Sequence, residues 1–285
     1  MGSKDTLILA ALQIGSTTEI VPHWFRIRDL IKHIVTKVPK TDCLVLPEYS
    51  FLNLQQAIAE EEGNQLEENY WFEYIKTGMS HLAKLHNLII VVGSVPHITE
   101  EGHFRNRSFV FDCSGAVAGF YDKQHPFRTE KKLGLEPGTH TPVFQINGLS
   151  FAVLICSDLW YHGLITKAAN QADFLAVPTM TTVLNRDYIT YGKWAWQSLV
   201  AVRAKEYTIP IVSADHPVRE CSPGVFTCGA SCIADPSYRF TEREGPESQA
   251  LKIVDIGSSY VVSQLSLTAL REYAQYRRDV GLRED

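Results

Sequence analysis

The sequence has no apolar run near the ~20 residues that a membrane-crossing helix needs, which argues against a membrane protein. It has no excess of positive charge either. Lys and Arg total 27 against 32 Asp and Glu, for a net charge of -5, and the basic runs are as short as "EKK" and "YRR". A chain without a broad cationic surface is a poor nucleic-acid binder, so no nucleic-acid partner is expected. The opening "MGSKDTLILAALQIG" lacks the long apolar core and small-residue cleavage pattern of a secretion signal. The six cysteines are therefore read as reduced thiols, since disulfide frameworks belong mainly to small secreted chains, and a cytoplasmic location is expected. There is no G-x-S-x-G elbow, phosphate-binding loop or dinucleotide fingerprint. Cys221, Cys228 and Cys232 lie downstream of His216, but no second Cys or His pair completes a ligand set. No metal and no organic cofactor are expected.

The 285 residues, 45% apolar and 21% charged, have ordinary globular composition and can bury a large core without disulfides or metal. Apolar stretches with strand character ("TLILAALQIG", "DCLVLP", "LIIVVGSVPHI", "LSFAVLIC", "DFLAVP", "IPIVSAD") alternate with stretches of helical period. In "PHWFRIRDLIKHIVTKV" the positions Phe25, Ile27, Leu30, Ile31, Ile34 and Val35 recur as on a helix face. Further helices are expected over "ENYWFEYIKTGMSHLAKLHN", "HGLITKAANQA" and "WAWQSLVAVRAKEYT". "SFVFDCSGAVAGFYD" reads as a hairpin turning at Ser114-Gly115, and "GASCIADPSYRF" as a second one. "LKIVDIGSSY" reads as a late strand, and a helical tail covers about 265–285. Strand–helix alternation with added hairpins implies an α/β fold with mixed sheets. No linker, repeat or low-complexity tract divides the chain, so residues 1–285 are read as one domain.

Three apolar strands end in a reactive or ionisable residue. "CLVLPEYS" delivers Glu48, "AGFYDKQH" delivers Lys123 and "VLICSD" delivers Cys156. In α/β sheets, ligand-handling groups collect beyond the carboxyl ends of strands, so these side chains converge if their strands are neighbours. A thiol needs a base or a cation to react near neutral pH. Glu48 is the candidate base, and Lys123 with the Ser157 N–H the candidate oxyanion donors. Each residue also has an ordinary reading: a turn glutamate, a surface lysine and a core cysteine.

Taken together, "LVLPEYSF", "YDKQHPF" and "VLICSDLWY" resemble, in that order and at those separations, the signature segments of the nitrilase superfamily of carbon–nitrogen hydrolases. "LEPGTHTPVF", "ADFLAVPTM", "VRAKEYTIPIVSAD" and "GASCIADP" extend the resemblance over nearly the whole chain. The resemblance implies an α-β-β-α sandwich of two mixed sheets flanked by helices. It also implies a homodimer or higher homo-oligomer, and a Glu–Lys–Cys triad carried by Glu48, Lys123 and Cys156. It implies a second active-site glutamate after the lysine, for which Glu130 is the first candidate and Glu136 the second. Three positions depart from the family pattern. His162-Gly163 stand where Pro-Glu is common, Tyr207 where Asn is common, and Asp215 where the strand commonly ends in Asn.

The resulting expectation is a cysteine-dependent hydrolase of a small amide-type substrate. An amidase or N-carbamoyl hydrolase working through a thioester is favoured over a true nitrilase. Tyr49, Ser157, Trp160, Tyr161 and Met180, with Trp194, are the candidate pocket residues. Two rival readings remain at this level: a non-catalytic ligand- or partner-binding dimer of the same fold, with His162 and Asp215 marking a disabled pocket, and a thiol redox sensor at Cys156.

Overall fold

The alternation of apolar side chains along the first strand explains the layers. In the computed structural model, which describes residues 5–16, 20–51, 70–240, 249–255 and 257–282, β1 (Thr6–Leu12) buries nearly every residue. Successive strand side chains face opposite ways. Leu7, Leu9 and Ala11 enter a core shared with the second sheet. Ala10 and Leu12 face Ile27, Ile31 and Ile34 of α1 (Ile20–Lys37) and Met79, Leu82 and Ala83 of α2 (Tyr70–His86). A strand buried on both faces needs a helix layer on one side and a sheet on the other.

The first sheet has the order β15-β1-β2-β3-β4-β5 among the described residues. Its centre is parallel, with β2 (Cys43–Val45) between β1 and β3 (Ile89–Ile98). The hairpin of β4 (Phe104–Phe111) and β5 (Val117–Asp122) continues it antiparallel, turning at Ser114-Gly115 as expected. After the short helix α3 (Arg128–Lys132), β6 (Val143–Ile146) and β7 (Leu149–Val153) form a further hairpin. Its Asn147-Gly148 turn has both φ values positive, at 52° and 74°, the geometry that favours Asn-Gly in two-residue hairpins. This hairpin adds to the expected elements. Next come α4 (His162–Ala169), β8 (Phe174–Pro178), β9 (Thr182–Val183), α5 (Ile189–Tyr207) and β10 (Ile211–Ala214). β11 (Arg219–Ser222) pairs with β12 (Val225–Thr227), which pairs with β9, in a small three-stranded sheet. The second large sheet runs β14-β13-β10-β8-β7-β6, parallel at its centre and antiparallel at both edges. Leu164, Ile165 and Ala168 of α4 and Trp196, Val200 and Ala204 of α5 belong to the core of that sheet. The four layers are the expected α-β-β-α sandwich.

Two late elements differ from the sequence reading. Of "GASCIADPSYRF", only β13 (Cys232–Ala234) is a strand. The Asp235 carboxylate accepts the Ser237 N–H and hydroxyl and closes a turn around Pro236, so no second arm forms locally. The partner of β13 is β14 (Leu251–Ile253). "LKIVDIGSSY" likewise is not one strand. It breaks after β14, and the chain then enters the first sheet as β15 (Tyr260–Ser266), antiparallel to β1, before the terminal helix α6 (Leu267–Asp279). Residues 283–285 of the expected helical tail lie outside the described residues.

Candidate active site

Two of the three strand ends, those carrying Glu48 and Cys156, are bent away from their sheets by local chemistry. Pro47, with no N–H to give, ends the pairing of β2, and Glu48 follows in a turn. Gly93 lies at a bulge in β3 opposite that turn, and a Cβ there would stand 1.8 Å from the Pro47 carbonyl oxygen. Only glycine permits that approach. The next residue, Ser94, accepts the Tyr49 N–H on its hydroxyl, which supports Tyr49 at a left-handed φ of 52°.

Cys156 also carries a positive φ, 48°, a region that costs a non-glycine residue about 1–3 kcal/mol. It opens a 3-10 turn, Cys156–Trp160, three residues past β7. Asp158 holds that turn. Its buried carboxylate accepts the Ile155 N–H, the Tyr121 hydroxyl at 2.8 Å and the His125 N–H at 2.8 Å. The nucleophile candidate is thereby tied to both ends of the segment that carries Lys123.

The expected residues do converge. Lys123, 1% exposed, donates to Glu48 Oε1 at 2.6 Å and to Glu130 Oε2 at 2.8 Å. The Cys156 thiol interacts with the Glu48 carboxyl, and the Met180 N–H favours its ionised form. Tyr49 donates its hydroxyl to Glu130 Oε1 at 2.6 Å. The two later glutamates differ in position. Glu130 is buried in this cluster, while Glu136 is exposed and pairs with His103 at 2.9 Å. Sequence reasoning missed Asn106. Its Nδ2 donates to Glu48 Oε1 at 2.8 Å and to Glu130 Oε1 at 2.7 Å, and its backbone carbonyl accepts the backbone N–H of Lys123. An amide in mid-strand at a core-facing position, with Ser108 and Val110 next on the same face, is the only signal the sequence carried.

The charges are unequal. Two carboxylates share one ammonium in a space closed to water, so one negative charge is left over, and burying it is expensive. Glu130 accepts from Lys123, Asn106, Tyr49 and the Phe127 N–H. Although burial opposes ionisation, the Lys123 charge and these bonds hold its carboxyl below the usual range. Glu48 has fewer donors and absorbs the imbalance. Burial lifts its carboxyl to about 7, against the opposing pull of Lys123. Burial lowers the affinity of Lys123 for its proton, but the two carboxylates outweigh it and keep the ammonium charged. Burial and the Glu48 charge push the Cys156 thiol well above its ordinary value. The resting arrangement is a neutral thiol beside a carboxyl that titrates near neutrality.

The candidate pocket residues divide. Tyr49 and Met180 pack together beside the cluster. Ser157 and Tyr161 line an open cavity of about 450 Å³ with His125, Arg128, Lys131 and Lys132, and Tyr161 stacks on the His125 ring at 3.5 Å. Trp160 and Trp194 are not brought to the cluster. They stand 55% and 62% exposed, because the 3-10 turn and α5 direct them to the outer surface. The sequence departures also find partners. His162 Nδ1 lies 2.9 Å from the Tyr207 hydroxyl, so two positions that depart from the family pattern meet each other. Asp215 is buried at the end of β10. Among the described residues no group of three His, Cys, Asp or Glu is placed to hold a metal, no helix is long and apolar enough to cross a membrane, and all six cysteines are free.

Comparison with known proteins bears on the family and the fold. The family model for carbon–nitrogen hydrolases matches residues 8–264. The 2-oxoglutaramate amidase of Bacillus subtilis (strain 168) is 27% identical over 234 residues, covering 78% of this chain and 82% of that protein. Among solved structures, a carbon–nitrogen hydrolase from Helicobacter pylori G27 superposes with a TM-score of 0.81 at 18% identity, covering 98% of this chain and 96% of that one. A mutant of the amidase from Nesterenkonia sp. AN1, which shows Michael addition of acrylamide at its active site cysteine, superposes with a TM-score of 0.70 at 19% identity over 96% of this chain and 99% of that one. At these identities the structural likeness concerns the fold.

Proposed function

The chain belongs to the carbon–nitrogen hydrolase family, and from that premise we propose that it is a cysteine-dependent amidase acting through a thioester on Cys156. One observation carries the reading: the Lys123 ammonium bridges the buried Glu48 and Glu130 carboxyls, and the half-buried Cys156 thiol interacts with the Glu48 carboxyl, which burial lifts to about 7. Ionised Glu48 takes the thiol proton as sulphur attacks the amide carbon. This transfer leaves the net charge of the cluster unchanged. An ammonium has three donors, and two of those of Lys123 are engaged by Glu48 and Glu130. The third is left for the developing oxyanion, with the Ser157 N–H as a second donor. Collapse breaks the C–N bond, and protonated Glu48 returns its proton to the departing nitrogen. Water then gives its proton to Glu48 and attacks the thioester, releasing the acid and restoring the thiol. Glu130, saturated with donors, orients Lys123 and takes no proton.

The substrate reading follows from the cavity beside Ser157. Its charged lining residues Arg128, Lys131 and Lys132 are all cationic, which suits an amide whose acyl group ends in a carboxylate. 2-oxoglutaramate, the compound named for the Bacillus subtilis relative, is of that kind. A homodimer fits the outer face of α5, where Tyr191, Trp194 and Val202 form an exposed stripe that Tyr188 precedes in the chain. A redox-sensor role at Cys156 fits less well, because its thiol is held in the neutral form, which resists oxidation.

The test is ammonia release from 2-oxoglutaramate, neutral aliphatic amides, N-carbamoyl amino acids and nitriles, with wild type run beside Cys156→Ala. Release that vanishes in the variant supports the reading. Equal release from both proteins, or none from any compound, overturns it.

A further inference from the structure

Glu48 stands on the first sheet and Cys156 on the second. Their separation therefore depends on whatever ties the loops of the two sheets together. Two fully buried residues at the end of β10, Asp215 and His216, reach both sides. His216 Nε2–H donates to the Glu48 backbone carbonyl at 2.6 Å. That carbonyl precedes Tyr49 with its left-handed φ of 52°, past the end of β2 and beyond the reach of the ladder. Asp215 Oδ1 accepts the N–H groups of Thr181 at 2.9 Å and His216 at 2.8 Å, and Oδ2 accepts that of Ala230 at 2.8 Å. Thr181 follows Met180, whose N–H favours the ionised form of the Cys156 thiol.

The protonation states agree with this geometry. Donation from Nε2 requires a neutral ring to carry its proton there, and Nδ1 has no hydrogen-bond partner. Burial, with Arg219 and His23 nearby, holds His216 neutral. Asp215 meets three backbone donors and no cation in these bonds, as expected of a residue that fixes loops.

We propose that Asp215–His216 is a positioning brace that sets Glu48 against Cys156: His216 holds the base by its backbone carbonyl, and Asp215 holds the 179–181 turn that faces the sulphur. The proposal rests on the reading of Glu48 as base and Cys156 as nucleophile. It gives a role to Asp215, one of the positions where this chain departs from the family pattern.

The experiment compares His216→Leu, His216→Gln and Asp215→Asn with wild type. Each is measured for kcat and KM on the best amide and for the rate of Cys156 alkylation by iodoacetamide, with melting temperature alongside. A misplacement near 1 Å costs roughly 100-fold. His216→Leu is expected to lower kcat by roughly 10- to 100-fold and to slow alkylation in parallel, with KM little changed. His216→Gln, whose side-chain amide N–H reaches a similar point, is expected to recover most of that loss. Should His216→Leu not fold, the other two variants carry the test. Asp215→Asn turns an N–H donor toward Ala230 and is expected to reduce kcat and alkylation together. Unchanged kcat in folded His216→Leu or Asp215→Asn overturns the brace, as does a His216→Gln loss as large as that of His216→Leu. A wild type that neither hydrolyses amides nor alkylates at Cys156 sinks the underlying reading instead.

Discussion

Glu48 and Glu130 accept hydrogen bonds from the same lysine and the same asparagine, at 2.6 to 2.8 Å, yet they are held in opposite protonation regimes. The difference lies in what else each receives. Glu130 has the Tyr49 hydroxyl and the Phe127 N–H in addition, whereas Glu48 faces a thiol that is itself a proton source. Pairs of carboxylates whose environments push them apart divide acid–base labour in this way.

The pH dependence of activity follows from that division. Glu48 acts as base only when ionised, and burial lifts its carboxyl to about 7. kcat/KM is expected to rise with pH through an acid limb near 7 and then level off. Lys123 stays charged, with its proton held well above the ordinary lysine range, so it adds no limb there. A pH–rate profile checks this, and a limb near 4.5, the ordinary glutamate value, would show that burial does not lift the carboxyl of the base.

Asn106 stabilises the ionised forms of both carboxylates. Removing a hydrogen bond to a charged group costs about 1.5–3 kcal/mol. Asn106→Ala is therefore expected to move the acid limb upward by about a pH unit and to lower the plateau rate. The same profile recorded on the variant reads both effects.

Glu130→Gln is expected to reduce kcat by orders of magnitude. The amide removes one of the two charges that hold Lys123 and turns an N–H toward one of its donors. Glu136→Gln, at the exposed position paired with His103, is expected to change kcat less than about twofold, within the range of ordinary surface substitutions. Steady-state kinetics of the pair separate the two glutamates.

The cationic cavity makes a specificity prediction. Neutralising Lys131 and Lys132 together as Lys131→Ala/Lys132→Ala is expected to lower the ratio of kcat/KM for a carboxylate-bearing amide to that for a neutral amide of equal length by roughly 10-fold, as for the loss of about 1.4 kcal/mol of charge interaction. An unchanged ratio would place the acyl group elsewhere.

The stripe on α5 bears on assembly. Trp194→Glu puts a charge on an apolar surface that is 62% exposed in the single chain. It is expected to shift a dimer to monomer in light scattering coupled to size exclusion, with the helical circular dichroism signal retained.

The sequence alone determined what its local chemistry could express. Apolar strands with period two and helices of period 3.6 specify layers, and a proline or a polar residue at a strand end marks where a side chain leaves the sheet. Glu48, Lys123 and Cys156 stood out as strand-end residues for that reason, and the family resemblance then set them above their ordinary readings. Whether Glu130 or Glu136 faced inward was not, because that depends on the turn of a five-residue helix against distant strands. Asn106 and His216 were invisible as site residues, since an asparagine in a strand and a histidine after one have many ordinary uses. Their partners lie far along the chain, with His216 meeting Glu48 across 168 residues. The chain supplied the reactive groups. Only the stacking of two sheets brought them within hydrogen-bond reach, removed their water and so decided which carboxyl keeps its proton.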